Sequence, residues 1–298
     1  MKKNSLIVVL FFVCMSMNAQ IFRPLDQMSD AERSYFLAER FWDGFPFHDT
    51  MILHDKQRFP SGAIENYLQA ISQADLPTIQ RSLVETMRRA DTNERMWRFF
   101  AESFDLYLNS EFHHMRNEQW IEPVWHQMLK SQWTTFADSA KLNFFIRRAA
   151  ETPVGSIAPD LEFLTIQGQR GRLSEFNAER ILIYFYIPGC PQCAMTIEWI
   201  TRDTAYQELI QAGILKGFAF YPEHNLNVFR QYSSTIPSTW VNAREPDGMS
   251  QLEEQLLYRM NGAPTMYLLD RDKTIILKDA TLTQLYNEFD RARNRFLR

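Results

Sequence analysis

The chain has 298 residues, of which 45% are hydrophobic and 14% aromatic, so it is long enough for two domains with buried cores. Its 36 acidic residues outnumber its 32 basic ones and give a formal net charge of −4. Nucleic-acid phosphates are bound by basic surfaces, so this balance argues against a nucleic-acid partner. The three cysteines are Cys14, Cys190 and Cys193.

Residues 1–20 have the pattern of a secretory signal peptide. Lys2 and Lys3 precede an apolar stretch over residues 6–13, and small and polar residues follow up to Gln20. The apolar stretch is shorter than the roughly 20 residues that a membrane-spanning helix requires. We therefore predict cleavage near Ala19, and the alternative is an uncleaved N-terminal anchor.

Cleavage would place the rest of the protein in the periplasm or cell envelope. No second apolar run approaches membrane length, so we expect no stable membrane insertion after the signal peptide is removed. Cys14 would be discarded with the signal peptide. Cys190 and Cys193 would then be the cysteines of the mature chain, in a compartment where disulfides persist.

Residues 21–150 read as a helical domain. Ser29 and Glu32 have the spacing of a capping box, and residues 91–94 have a related pattern that would open another helix. Apolar residues then recur at helical spacing, as in Ile64, Leu68 and Ile71 and in Trp97, Phe100, Phe104 and Tyr107. This pattern predicts five or six helices packed as a bundle.

Residues 151–298 change to strands that alternate with helices, after a joint over residues 152–159 that holds two prolines and a glycine. The apolar run Ile181–Tyr186 has the length of a buried strand. The expected strands are 161–166, 181–186, 217–221, 265–269 and 274–277, and the expected helices are 191–212 and 281–296. The fold class is thus α + α/β, a helical bundle followed by an α/β sandwich around a central mixed sheet.

The sequence Cys190-Pro191-Gln192-Cys193 lies where the most apolar strand gives way to a helix. The start of a helix is positive and carries unpaired N–H groups, and both features stabilise a thiolate. A thiolate is the attacking species in disulfide exchange. We therefore expect Cys190 to be the exposed nucleophile and Cys193, one turn further into the helix, to be the resolving thiol.

Other uses of two cysteines three positions apart are less consistent with the chain. A zinc site would need a second pair of ligands at metal spacing, and a haem attachment site would need a histidine where Ala194 stands. A structural disulfide across so short a loop would add little stability. We expect neither a cofactor nor a metal at this site.

A second motif is Gly262-Ala263-Pro264-Thr265, at the start of a predicted strand. Proline cannot donate to a sheet, and a cis bond before it is the usual way to place it in such a turn. We therefore predict a cis bond before Pro264, with an ordinary turn proline as the alternative.

These motifs together resemble the thioredoxin superfamily, and among its members the exported TlpA/ResA-type thiol-disulfide oxidoreductases. The matching segments are 155–161, 171–176, 181–193 and 263–265. The resemblance implies a thioredoxin-like fold for residues 151–298. It also implies that Ala263, Pro264 and Thr265 pack against the disulfide and bind the substrate backbone.

The sequence departs from thioredoxin beside the cysteines. Thioredoxin has a buried aspartate for proton transfer six residues before the first cysteine, where this chain has Tyr184, and a tryptophan just before that cysteine, where this chain has Gly189. Proton transfer is therefore left unassigned, with Glu198 and Tyr186 as the candidates. Peroxiredoxins have a threonine where this chain has Ile187, so peroxidase activity is not expected.

The helical half resembles an uncharacterised helical domain that precedes thioredoxin-like domains in exported bacterial proteins. The segments that carry this resemblance are 42–43, 107–110 and 115–118. It implies no activity. Asp43, His48, Asp49, His54 and Asp55 could ligate a metal, but they lack a pairing on one helix face, so we interpret them as structural. His113 and His114 are interpreted in the same way.

The function that the sequence favours is thiol-disulfide exchange in the cell envelope through Cys190 and Cys193. The partners would be protein thiols and disulfides together with an upstream redox partner. The motif fits a reductase, an oxidase or an isomerase equally. The alternative is a non-catalytic binding or assembly module of the envelope in which the two cysteines form a structural or vestigial disulfide.

Overall fold

The computed structural model of the chain describes residues 25–54, 59, 62–110, 113–247, 251, 257–260 and 262–297. The predicted signal peptide, Cys14 and Asp55 lie outside these residues. The chain divides into two compact units, one of residues up to 109 with 118–142 and the other of residues 110–117 with 143–298. The predicted domain boundary at residues 150 and 151 stays a prediction.

The first unit is helical. Its helices are α1 (Asp30–Arg40), α2 (Ala63–Ile71), α3 (Leu76–Ala90), α4 (Glu94–Phe104), α5 (Glu118–Met128) and α6 (Phe136–Ala149), of which α6 continues into the second unit. Helix α3 packs against α1, α4 and α5. Trp42, Tyr67, Phe100 and Phe104 are buried in its core. The prediction of a helical first half is confirmed.

Two helix caps were predicted from the sequence, and the structure agrees with one and differs from the other. Ser29 and Glu32 form the predicted capping box at the start of α1. Asn93, rather than Asp91, caps α4, and its side chain accepts a hydrogen bond from the Met96 amide at 2.9 Å. Asp91 is the residue that ends α3, and its carboxylate accepts a hydrogen bond from Ser131.

The second unit is built on a mixed sheet. Its strands are β1 (Glu162–Thr165), β2 (Arg170–Arg172), β3 (Arg180–Phe185), β4 (Leu215–Tyr221), β5 (Val241–Arg244), β6 (Thr265–Asp270) and β7 (Ile275–Leu277), in the order β2-β1-β5-β4-β3-β6-β7. The pairs β3–β4 and β4–β5 are parallel, and the other pairs are antiparallel. The predicted α/β sandwich around a central mixed sheet is confirmed.

The helices of this unit are α7 (Pro191–Arg202), α8 (Thr204–Gln211), α9 (Leu226–Tyr232) and α10 (Leu282–Phe296). The single helix that the sequence predicted over 191–212 is therefore two helices. The break lies at Asp203, which is extended and whose carboxylate accepts a hydrogen bond from the Tyr206 amide at 2.8 Å. This N-cap ends α7 and starts α8. Among the helices that the structure describes, none is long and apolar enough to cross a lipid bilayer.

Strand β3 is buried on both faces of the sheet. Leu182 and Tyr184 point into one core, which helices α7, α8, α9 and α10 cover. Ile181, Ile183 and Phe185 point into the other, which segment 158–178 and Tyr258 cover. A strand between two cores has no polar face, which explains its uninterrupted apolar sequence.

Gly217 in β4 is required by a close approach of an aromatic ring. A Cβ at this position would overlap the indole ring of Trp240, which is itself buried. The strand backbone here is extended, so the glycine is needed for its size and not for its backbone freedom.

We predict that Gly217→Ala destabilises the protein by about 1–3 kcal/mol, because overpacking forces shifts in a close-packed core. Chemical denaturation of the variant measures this loss. Lys216→Ala, at the exposed neighbouring position, is the control and should change stability little. A smaller ring in Trp240→Phe should reduce the cost of Gly217→Ala, and costs that simply add would contradict the proposed overlap.

The second unit includes the end of α6. The ammonium group of the buried Lys278 donates hydrogen bonds to the carbonyl groups of Arg148, Ala149 and Glu151 at 3.4, 3.1 and 2.5 Å. These carbonyl groups form the end of α6 and the residues after it. A cation stabilises this end of a helix, because the last carbonyl groups are unpaired and carry partial negative charge.

We predict that a fragment of residues 143–298 unfolds at higher denaturant concentration than a fragment of residues 151–298. The shorter fragment lacks two of the three carbonyl groups that Lys278 contacts. Equal midpoints would show that these contacts add no stability. If neither fragment folds, the prediction of an independent second domain is wrong.

Candidate functional site

The loop between β3 and α7 places Cys190 at the start of a helix. Cys190 is the N-cap of α7 and Pro191 is its first residue. The Sγ atom of Cys190 accepts a hydrogen bond from the Cys193 amide at 3.3 Å. Helix starts leave such amides without partners in the helix, so the sulfur takes the place of the serine or aspartate oxygen that usually caps one.

The two cysteines differ in exposure. Cys190 is half-buried, whereas Cys193 is 4% exposed and belongs to the core between the sheet and α7. They are not joined by a disulfide. A reagent or a protein thiol therefore has access to Cys190 first.

The pKa of Cys193 is raised to about 12, mainly because burial disfavours the thiolate. Its hydrogen bond with Cys190 also raises this pKa, and a hydrogen bond with the Ile187 backbone and one with the Tyr184 hydroxyl lower it. Cys193 is thus a protonated thiol at neutral pH.

The predicted proline loop lies beside Cys190. The Ala263–Pro264 bond is cis, which confirms the prediction. The Cys190 thiol donates to the Ala263 carbonyl group at 3.5 Å, a long contact. Thr265 is the first residue of β6 and pairs with Phe185, the last residue of β3. The pairing of these strands explains how residues more than 70 positions apart meet.

Thr265 is buried and does not present its side chain to the surface. Its hydroxyl donates to the Gly262 carbonyl group at 2.7 Å, within the same loop. The side chain therefore stabilises the turn that carries Ala263 and Pro264. Any contact of Thr265 with a substrate would involve its backbone.

Gly189 adopts a backbone conformation that other residues rarely take. Its φ angle is +80°, and a Cβ there would lie 3.2 Å from the Tyr232 hydroxyl. The left-handed region is open to glycine at no steric cost. This explains why glycine stands where thioredoxin has tryptophan, and it places Tyr232 beside the cysteine loop, a neighbour that no motif in the sequence indicated.

Tyr184 occupies the position of the buried aspartate of thioredoxin and contacts the second cysteine. It is fully buried, and its hydroxyl donates to the Cys193 carbonyl group at 2.7 Å. The pKa of Tyr184 is raised, mainly by burial and then by the two cysteines. Tyr184 is therefore neutral and acts as a hydrogen-bond donor.

The two candidates for proton transfer, Tyr186 and Glu198, have partners other than the cysteines. The Tyr186 hydroxyl donates to the Asn242 side chain at 3.0 Å, and burial raises the pKa of Tyr186. Glu198 is exposed on α7 and pairs with Arg202 at 2.5 Å.

The acidic and histidine residues of the helical half show no metal geometry where the structure describes them. Among the described residues, no three histidine, cysteine or acidic side chains are placed to hold a metal ion. The ring of His54 contacts Arg95, and the rings of His113 and His114 stack at 4.7 Å.

Comparison with known proteins agrees with this architecture. The chain is similar to a thioredoxin-like protein from Bacteroides caccae, with 25% identity and a TM-score of 0.75 over 93% of this chain and 99% of the other. The second half of the chain is a thioredoxin-like domain. The predicted resemblance to the thioredoxin superfamily is thus confirmed.

Other matches cover about half of the chain. The C-terminal domain of an uncharacterized protein from Bacteroides fragilis is 30% identical, with a TM-score of 0.45 over 47% of this chain and 99% of that domain. The thioredoxin domain of a thiol-disulfide oxidoreductase from Bacteroides vulgatus is 19% identical, with a TM-score of 0.40 over 46% and 96%. No curated protein matches the chain.

The helical half matches a family of its own. Residues 24–151 match the model described as Domain of unknown function (DUF5106). This match confirms the resemblance of the first half to an uncharacterised helical domain that precedes a thioredoxin-like domain.

We predict that iodoacetamide modifies Cys190 well before Cys193 at neutral pH. Cys193 is buried and its pKa of about 12 leaves only a trace of thiolate. Mass spectrometry of the partly alkylated reduced protein measures the order. In Cys190→Ser, modification of Cys193 should accelerate by about tenfold per pH unit through the alkaline range, because the thiolate fraction does so below the pKa. Equal rates for the two cysteines at neutral pH would contradict this assignment.

Proposed function

We propose that the protein exchanges disulfides with thiol-containing proteins of the cell envelope through Cys190 and Cys193. The observation that carries the proposal is the position of Cys190, at the first turn of α7 and beside the cis-proline loop. The Cys190 sulfur contacts the Cys193 amide of the helix and the Ala263 carbonyl group of the proline loop. This arrangement suits attack on a disulfide held in an extended segment.

The reaction has two displacements. The Cys190 thiolate attacks one sulfur of a substrate disulfide, so a Cys190–substrate bond forms and the other substrate sulfur leaves as a thiolate. Cys193 then loses its proton to solvent and attacks Cys190 Sγ. A Cys190–Cys193 disulfide forms, the substrate leaves reduced, and two electrons have passed from the protein to the substrate. The reverse sequence would oxidise a substrate dithiol.

The cis-proline loop would orient the substrate. Thr265 is the first residue of β6 and pairs with Phe185, the last residue of β3. Residues 263–265 therefore lie where β3 ends. Ala263 and Thr265 offer backbone groups there, and a substrate segment could pair with them as an added strand. Pro264 has no amide hydrogen, so it leaves the hydrogen bonding to these two neighbours.

The envelope location rests on the N-terminal sequence, where Lys2, Lys3 and the apolar stretch form the signal-peptide pattern. A redox-active pair of cysteines is consistent with an oxidising compartment. Protein thiols and disulfides would be the substrates, and an upstream redox partner would return Cys190 and Cys193 to their starting state.

We predict that Cys193→Ser accumulates a mixed disulfide with substrate through Cys190, whereas Cys190→Ser accumulates none. Without Cys193 the first displacement still occurs and nothing releases the substrate. Non-reducing gel electrophoresis of each variant after incubation with a disulfide-containing protein measures the trapped complex, and mass spectrometry identifies the linked cysteine.

The double variant Cys190→Ser with Cys193→Ser is the control for non-specific capture. Trapping by Cys190→Ser alone would reverse the two roles. If neither single variant traps substrate and the wild type exchanges with no protein disulfide, the binding or assembly module becomes the better account.

A further inference from the structure

The hydroxyl of Tyr184 lies next to the cysteine that would complete the reaction. It donates its single proton to the Cys193 carbonyl group at 2.7 Å, and its proximity lowers the pKa of the Cys193 thiol. Tyr184 is the second-to-last residue of β3, while Cys193 is in the first turn of α7. One side chain thus connects the central strand to the second cysteine.

The carbonyl group that Tyr184 contacts is part of the helix that carries the site. The bond fixes the first turn of α7 against β3, and in the same turn the Cys193 amide donates to the Cys190 sulfur. Tyr184 is fully buried and stacks on Tyr186 at 6.5 Å, with Trp240 against its edge at 5.7 Å. These rings hold the hydroxyl in one direction, because the phenol has little freedom in such packing.

We propose that Tyr184 is the positioning residue for Cys193: its hydroxyl fixes the first turn of α7, and its proton turns from the Cys193 carbonyl group to the Cys193 sulfur as negative charge develops there. The inference rests on the proposed disulfide exchange, and it concerns the second displacement only. In that step Cys193 gives its proton to a solvent base and forms the bond to Cys190 Sγ, and the substrate sulfur leaves with the electron pair of the broken disulfide.

The role of Tyr184 differs from that of an acid at the same position. A carboxylate could accept the Cys193 proton, but its charge would oppose a neighbouring thiolate. Burial raises the pKa of Tyr184, so the side chain stays a neutral phenol. No phenolate is present to accept the proton of Cys193. The phenol offers a hydrogen bond to the thiolate, and hydrogen bonds to charged groups are stronger than those between neutral ones.

The test separates the two displacements with a small aromatic disulfide whose thiolate product is coloured. Attack by Cys190 releases the first equivalent of product, and displacement by Cys193 releases the second. Full-length reduced protein is mixed with excess probe in a stopped-flow spectrometer. We expect Tyr184→Phe to slow the second release by about tenfold or more, and to leave the first within about twofold, because only the second step develops charge on Cys193.

Tyr258→Phe is the matched control. Tyr258 is also a buried tyrosine, 3% exposed, whose hydroxyl donates to a backbone carbonyl group, that of Pro159, at 2.6 Å. It lies in the core on the opposite face of the sheet. The two variants therefore remove the same kind of hydrogen bond, but only one of these bonds reaches a cysteine. We expect Tyr258→Phe to leave both releases unchanged.

A third protein, with monofluorotyrosine at position 184, restores a hydroxyl group on the same ring. We expect it to recover the rate of the second release that Tyr184→Phe loses. An effect of ring packing alone would not depend on the hydroxyl group and would not require this recovery. The proposal is overturned if the second release is as fast in Tyr184→Phe as in Tyr258→Phe, if both releases slow in equal proportion, or if the wild type releases a single equivalent. A wild type that fails on protein disulfides but keeps the Tyr184 effect refutes the proposed function and leaves this inference standing.

Discussion

The antiparallel pairing of β3 with β6 is the constraint on which the candidate site depends. It runs from Arg180 opposite Asp270 to Phe185 opposite Thr265. Antiparallel neighbours bring the end of one strand to the start of the other, so the loop after β3 and the loop before β6 share one edge of the sheet. The first loop carries Cys190 and the second carries Pro264. A slip of the register would separate them and would also exchange the two buried faces of β3.

The difference between the two cysteines follows from their places in one helix turn. Cys190 caps α7 from outside the helix, and Cys193 is three residues later, within the first turn. Residues three apart lie on the same side of a helix, so the two sulfurs stay close together. Cys193 faces the sheet because α7 packs there with Ile197 and Ile200. Packing of the helix therefore buries one thiol and leaves the other near the surface.

Much of the thioredoxin-like half could be predicted because its signals are local. The run Ile181–Tyr186 predicted β3 to within one residue, and Thr281 proved to be the cap that starts α10. The break between α7 and α8 was missed although Asp203 is a good helix cap, because the apolar spacing continues across it. Strand β5 was missed because Val241–Arg244 has no apolar run of its own, and its pairing with β4 and β1 makes it a strand.

The site was predictable to the extent that its residues belong to motifs. Cys190, Cys193 and the cis bond before Pro264 follow from short patterns whose chemistry is known. Tyr232 and Tyr184 do not, because a tyrosine in an apolar segment is interpreted as part of the core until its hydroxyl partner is known. Sequence showed that an acid is missing at position 184. The structure was needed to show that the hydroxyl there contacts Cys193.

Tyr184 stands where thioredoxin has a buried aspartate, and this difference has a physical consequence for the whole site. An ionised carboxylate in this core would need compensation for its loss of hydration, and it would repel the thiolate that forms on Cys193. A tyrosine avoids both costs and fills its space with an aromatic ring that packs on Tyr186 and Trp240. In the proposed exchange, Tyr184 therefore does not accept the proton of Cys193, which passes to a solvent base.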